Sequence, residues 1–356
     1  MIPQHMADNF ADAYPEELLR EREAKLRSFW AGKGGRAILS LHDGSFPYRQ
    51  IDDDDLIVEN AVRTILASAP LSDAYLPWFG PDFGTISTAI YWGGEVIQPK
   101  GGNVFIKPII HSAEQVSEHY PLAPEAGHCP RAIKLSQRIR ERLKTDQIWA
   151  RLPDMQGPLS TASLLWEQED FFCSMYTDPE AVHSLLDQVT TQLIGMVRHL
   201  QSAMAPTSGA VWPYIWQPED LGITITEDMM PLLPPSLYRE FGLPYLKRMA
   251  DEFGGVFVHC CGKFEQHLPA LAASGIHLRG FEYFEPETRT EAIFEHLGSS
   301  LVYVPSTSPQ LDISYPDYLQ HLACVAPADM RLYFIQETSW PDAAANSALI
   351  RKLFIE

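Results

Sequence analysis

The sequence predicts an α/β protein built as a closed (β/α)8 barrel, and three observations carry that expectation. From Ile148 onward, apolar runs of about five residues mostly alternate with helical stretches, as in successive βαβ units. With Ala37–Leu41 added there are eight such runs, the number a closed barrel requires. No glycine-rich phosphate loop follows any of them, which argues against a dinucleotide-binding sheet. The 356 residues show no linker of Gly, Ser or Pro and no internal repeat. A single domain over residues 1–356 is expected, with 1–36 a helical N-terminal extension and 37–356 the barrel.

Tyr14–Ala31 has the spacing of a charged amphipathic helix, ended by the Gly32–Gly35 stretch before the first strand. Asp52–Asp55 reads as a solvated loop or as the acidic start of a helix over Leu56–Ser68. Leu71–Gly102, rich in Gly, Pro and aromatic residues, has no period and reads as a long functional loop. Ile133–Leu143 is helical, and Ile148–Leu152 is the next strand. Pro179–Met204 is a long amphipathic helix, with Asp178 placed to cap it and Val182, Leu185, Leu186, Val189 and Leu193 along its apolar stripe. Strands are then expected at Ala210–Trp216, Gly222–Thr226, Val256–His259, Leu278–Phe281, Leu301–Val304 and Leu332–Ile335. Helices are expected at Pro235–Phe253, Phe264–Ser274, Arg289–Leu297, Pro316–Ala323 and Ala343–Phe354.

The chain carries 27 Lys+Arg against 46 Asp+Glu, a formal charge of −19. Such a surplus repels phosphate backbones and anionic lipid, so nucleic-acid and membrane-surface functions are excluded. No apolar window is long enough to span a bilayer, and Met1–Phe10 lacks the features of a signal peptide, so a soluble, cytoplasmic protein is expected. Five cysteines are too few for a disulfide scaffold in a chain this long. Cys129 and Cys173 read as structural, and Cys324 as a packed helix residue.

Barrel catalysts place their reactive groups at the C-terminal ends of strands. The richest such end is Val256-Phe257-Val258-His259-Cys260-Cys261-Gly262, where alternation puts His259 and Cys261 on one side. An imidazole and a thiolate are donors that Zn²⁺ favours, although a buried cysteine pair beside a satisfied histidine fits the motif equally well. Further donors must come from other strand ends. Glu282 and Glu337 are the candidates, each equally readable as an acid that binds substrate or pairs with a cation. The remaining polar strand-end residues are His42, Asp43, Asp154, Gln156, Trp212, Tyr214, Trp216 and Asp228. They describe a mouth of aromatics and acids, with Lys263 and Arg279 the nearest cations in sequence, ill suited to hold a polyanion.

Three ordered motifs give the chain a specific resemblance. Gly157-Pro158-Leu159-Ser160-Thr161-Ala162-Ser163 with Tyr176-Thr177-Asp178-Pro179-Glu180, the Pro234–Lys247 helix containing Leu243-Pro244-Tyr245-Leu246-Lys247, and His259-x-Cys261-Gly262 resemble segments of the uroporphyrinogen decarboxylase superfamily. The likeness runs from about residue 148 to the C-terminus and faintly through Arg22–Arg36, and it implies that family's TIM barrel. Its decarboxylases are metal-free and grip an anionic tetrapyrrole with an Arg-Gln-Ala-Gly-Arg loop. Here the first strand ends instead in His42-Asp43-Gly44-Ser45-Phe46, and only Asp73 matches, in its Ser72-Asp73 context, the aspartate of that pocket.

The family's corrinoid-dependent methyltransferases, of the methylcobalamin:coenzyme M type, bind Zn²⁺ through His-x-Cys and a distant Cys. The resemblance therefore implies His259 and Cys261 as ligands. Where the distant Cys would fall, this chain has Glu337, and related methionine synthases take a Glu one strand after His-x-Cys, where Glu282 stands. The expectation is a zinc-dependent methyltransferase that moves a methyl group between a corrinoid and a thiol or other small acceptor. Asp154, Asp228 and Glu337 would be catalytic, and His42, Asp73, Gln156, Trp212 and Tyr214 substrate-binding. A corrinoid protein and a second copy of the chain are the expected partners. The alternatives are a carboxy-lyase acting on a tetrapyrrole or smaller acid, and a non-catalytic corrinoid- or tetrapyrrole-binding barrel.

Overall fold

The computed structural model describes residues 9–47, 52–71, 74–99, 104–308 and 310–356. Nine parallel strands form the barrel wall: β1 Ala37–His42, β2 Trp78–Phe79, β3 Trp149–Leu152, β4 Thr207–Ala210, β5 Ile223–Thr226, β6 Val256–Cys260, β7 Leu278–Glu285, β8 Val302–Thr307 and β9 Arg331–Glu337. One sheet runs β1-β9-β8-β7-β6-β5 and a second runs β2-β3-β4. The two are joined where the segment after β3 meets the end of β5 at Gln156 and Thr226. Thr226 N donates to Met155 O, and Gly157 N to Thr226 O, both at 2.8 Å. A two-stranded antiparallel ribbon, Val96–Ile97 with Phe105–Ile106, lies outside the wall.

Two expectations are corrected. Trp78–Phe79, inside the segment read as one long loop, is a strand that pairs with Trp149–Ala150. Two residues are too short to carry a period. The run expected at Ala210–Trp216 ends its pairing at Ala210, because Pro213 has no N–H to donate and the chain turns inward. Ser208 Oγ donates to Gln217 O and accepts from Gln217 N, closing that excursion at its base. Trp216 N donates to Tyr333 Oη of β9 at 3.1 Å, so the excursion fills the barrel interior.

The floor of the barrel is closed by the N-terminal helix Glu16–Trp30. Trp30 meets Phe257 of β6 edge-on, its Nε1 donates to Trp216 O, and Arg331 of β9 donates to the Phe29 and Trp30 carbonyls that end the helix. The segment expected as an extension is thus packed into the floor. Asp53 caps the next helix, Asp54–Ser68, by accepting from Asp55 N and Leu56 N, while Asp54 and Asp55 pair with Arg131 and Arg138. The acidic run is therefore a helix start. The stretch Pro235–Phe253 is helical but interrupted by a π turn over Tyr238–Gly242. Arg279 donates to Leu221 O and Gly254 O, at the strand ends remote from the mouth. Cys324 is exposed, not packed, and so is Cys173. No helix among the described residues is long and apolar enough to cross a membrane.

Candidate active site

Register assembles the site. Thr226 of β5 lies opposite His259 of β6, and His259 lies opposite Glu282 of β7. Parallel neighbours stand about 4.8 Å apart, close enough for side chains to meet. His259 Nδ1 and a Glu282 carboxylate oxygen share a short hydrogen bond, and the other Glu282 oxygen accepts from Ser306 Oγ of β8 at 3.1 Å. Two residues beyond β5, Asp228 turns back over the strand end. Its Oδ1 accepts from the Cys261 thiol at 3.4 Å and lies 3.9 Å from His259 Nε2. Donor atoms of Asp228, His259 and Cys261 all fall within 4.8 Å of one another.

Burial works against a charged His259 ring, but Glu282, aided by Cys261 and Asp228, outweighs it and raises the ring's pKa well above the usual value. The same arrangement suits a divalent cation, which takes the place of the Nε2 proton. Glu282 then accepts from Nδ1–H and fixes the tautomer. Glu282, expected as a third ligand, is placed as the partner of the histidine, and Asp228 supplies the third donor. Glu337 is not brought to this cluster. It lies on β9 opposite His42 of β1, and its carboxylate sits 3.1 Å from His42 Nε2. His42 packs edge-on to Trp78, which stacks on Tyr214, and Arg151 lies over Trp78 from below. His42 and Glu337 thus belong to a buried seam.

Two cavities open at the mouth. The first, about 280 Å³, is walled by Asp154, Gln156, Asp228, His259, Cys261 and Trp212, among others. A second, about 420 Å³, lies beyond Trp212 and Phe284, which line both. Tyr214 lines the second cavity. Asp154 is buried and accepts from Gln156 Nε2 at 2.9 Å. Burial is the largest influence on it and, against the Gln156 hydrogen bond, brings its pKa to about 6, with Asp82 and Asp228 adding to the rise. Glu227, fully enclosed behind Asp228, is pushed up to about 8 by burial and by that neighbour. Gly157 leaves it room, since a Cβ there would lie 1.9 Å from Glu227 Oε1. Ser72 and Asp73 lie outside the described residues.

Asp82, Phe284, Trp340 and Asn346 are among the wall residues that escaped the sequence reading. Phe284 was reachable, because it stands two positions after Glu282 on one strand and so faces the same way. Asp82 follows the two-residue strand β2 and had no periodic signal. Trp340 and Asn346 come from the loop and helix after β9.

Asp154 yields a stability test. Its folded pKa of about 6 lies above the ordinary carboxyl value of 3.8, so the folded state binds the extra proton between those limits. Stability is therefore full below pH 3.8 as far as this group is concerned, falls as pH rises towards 6, and stays reduced above it. Asp154→Asn removes the cost. Metal-free protein carrying it should be about 3 kcal/mol more stable than the parent at pH 7, with little difference at pH 4. Urea denaturation at both pH values measures this, and an equal shift at both would refute it.

A family model described as uroporphyrinogen decarboxylase (URO-D) matches residues 91–302, more than half of the 356. The chain belongs to the uroporphyrinogen decarboxylase family. As a family member it shares the TIM-barrel fold, and a methyltransferase from Methanosarcina mazei has a similar structure. That protein superposes with a TM-score of 0.67 at 16% identity, over 93% of this chain and 97% of its own. No curated protein sequence matches the chain. The family match begins in the loop region at Tyr91, well before the motifs that carried the resemblance.

Proposed function

We propose that the chain is a zinc-dependent methyltransferase of the uroporphyrinogen decarboxylase family, acting as one catalytic unit with a corrinoid as methyl carrier. The observation that carries this reading is the convergence of Asp228, His259 and Cys261 within 4.8 Å at the barrel mouth. One thiolate, one imidazole and one carboxylate are a donor set that zinc accepts, with a fourth position left for a substrate atom. Zinc held there lowers the pKa of a bound thiol and keeps it as thiolate. Glu282 orients His259 and neutralises charge on its ring, and Ser306 holds Glu282 in turn. Asp154, with a pKa of about 6, is suited to accept or return a proton in the same cavity. Trp212 and Phe284 wall the same cavity.

A tetrapyrrole carboxy-lyase is the competing reading within the family. Against it, no Lys or Arg among the described residues lines either mouth cavity, where a polycarboxylate would need cations to cradle it. Metal analysis of freshly purified protein should return about one zinc per chain. Methyl transfer from methylcobalamin to a small thiol should depend on that zinc. Folded, metal-free protein that releases CO₂ from uroporphyrinogen would overturn the reading. Protein that binds cobalamin without turnover would replace it with a binding function.

A further inference from the structure

The larger mouth cavity has a composition that the proposed zinc chemistry does not require. Six aromatic rings line it: Trp212, Tyr214, Phe284, Tyr315, Phe334 and Trp340. The Trp212 and Tyr214 rings are tilted by 49° at 4.7 Å, so these walls form a cage and not a flat slot. The polar groups are biased towards acceptors. Glu282 lines one side, and Asp82, Asp154 and Asp228 line the adjoining cavity. Among the described residues, no Lys or Arg lines either cavity.

Asn346 adds an independent observation. It lines the same cavity, is 6% exposed, and its Nδ2 donates to Pro341 O at 3.4 Å. Its Oδ1 is buried with no hydrogen-bond partner among the described residues. An unpaired buried carbonyl costs free energy unless a ligand satisfies it. An acceptor of this kind suits a ligand that brings a donor or a positive charge. Gln336, also in the lining, already donates its amide to Tyr315 Oη and to Ile335 O. An anionic ligand in this cavity would therefore meet π faces and acids, with neither Lys nor Arg against it among the described residues.

We propose that this aromatic cavity binds the N-methylated ammonium head of a small organic cation. Aromatic faces attract such a cation through their quadrupoles, and the nearby carboxylates add long-range attraction. This binding does not rest on the methyltransferase reading above. Trp212 and Phe284, shared between the cavities, place the ammonium methyls beside the compartment that holds Cys261.

Calorimetric titration of the zinc-loaded chain with choline and with 3,3-dimethyl-1-butanol separates charge from shape, since the alcohol carries a tert-butyl group in place of the trimethylammonium. Choline should bind at least about tenfold more tightly. Trp340→Ala should weaken choline about tenfold and leave the alcohol little changed. Trp340 is 42% exposed, so its loss opens no core, and Trp340→Leu repeats the test should the alanine variant not fold. Equal affinity for the two ligands, or anisole binding more tightly than choline, would overturn the proposal. Absence of choline binding to the folded, zinc-loaded protein would overturn it as well, whatever the outcome of the methylcobalamin-to-thiol assay.

Discussion

Cys261→Ser lowers bound zinc from about one per chain to below about a tenth, because a hydroxyl at neutral pH is no substitute for a thiolate. The same loss is expected for His259→Ala. Asp228 makes the result diagnostic. Its Oδ1 lies 3.4 Å from Cys261 Sγ and 3.9 Å from His259 Nε2, so Asp228→Asn removes the charged third donor at nearly constant volume. Glu282→Gln leaves the three donors in place and takes away the acceptor for Nδ1–H, which should weaken zinc about 10- to 100-fold without abolishing it. Glu337→Gln should leave affinity unchanged, since Glu337 is engaged with His42 on the opposite seam. Competition titrations with a chromophoric chelator give all the affinities on one scale. If Glu337→Gln releases the metal while Asp228→Asn keeps it, the ligand assignment is wrong.

Gly222→Ala is expected to cost about 3–5 kcal/mol of stability. Gly222 immediately precedes β5, the strand that leads to Asp228, and it holds φ +103°, a conformation poorly open to residues with a side chain. A Cβ there would lie 1.9 Å from Gly255 O and 2.4 Å from Gly255 C, both backbone atoms of the neighbouring chain segment. Ile223 N donates to that same Gly255 carbonyl at 3.2 Å, so neither side can retreat without losing the first β5–β6 hydrogen bond. Gly275→Ala is the control. It also has positive φ, +68°, yet nothing lies within 4 Å of its added Cβ, and it should cost only about 1 kcal/mol. Guanidinium unfolding of the three proteins compares them. Near-equal losses for the two substitutions would show that backbone conformation, not contact with Gly255, sets the cost.

The parts of the fold that could be read in advance were those with a period. Alternating β and α segments after Ile148 required a parallel closed sheet, and His259, Cys261 and Glu282 fell at strand ends by counting. Asp228 was named as a mouth acid, but nothing in its neighbours marked it as the third donor. That role arises from a turn two residues past β5 and from the β5–β6 register, which only the folded chain fixes. The position of Glu337 was hidden for the same reason. Its place at the end of the last strand is right, yet closure sets that strand against β1 and turns its carboxylate to His42. Trp78–Phe79 and the inward path of Val211–Gln217 were hidden because two-residue pairing and proline-broken segments have no repeat to detect.

The order of strands around the wall has a consequence for how the protein comes into being. Asp228, His259, Cys261 and Glu282 come from β5, β6 and β7 and the turns that follow β5 and β6, neighbours in both sequence and space. The His42–Glu337 seam joins the first strand to the last. During synthesis the metal-binding half has all its residues once Glu282 has left the ribosome, whereas the seam waits for nearly the whole chain. A nascent chain stalled after β7 would therefore contain every zinc donor on an unclosed sheet. Zinc held at the proposed site at that stage would act on folding as well as on chemistry, by tying two neighbouring strand ends together before the barrel can shut.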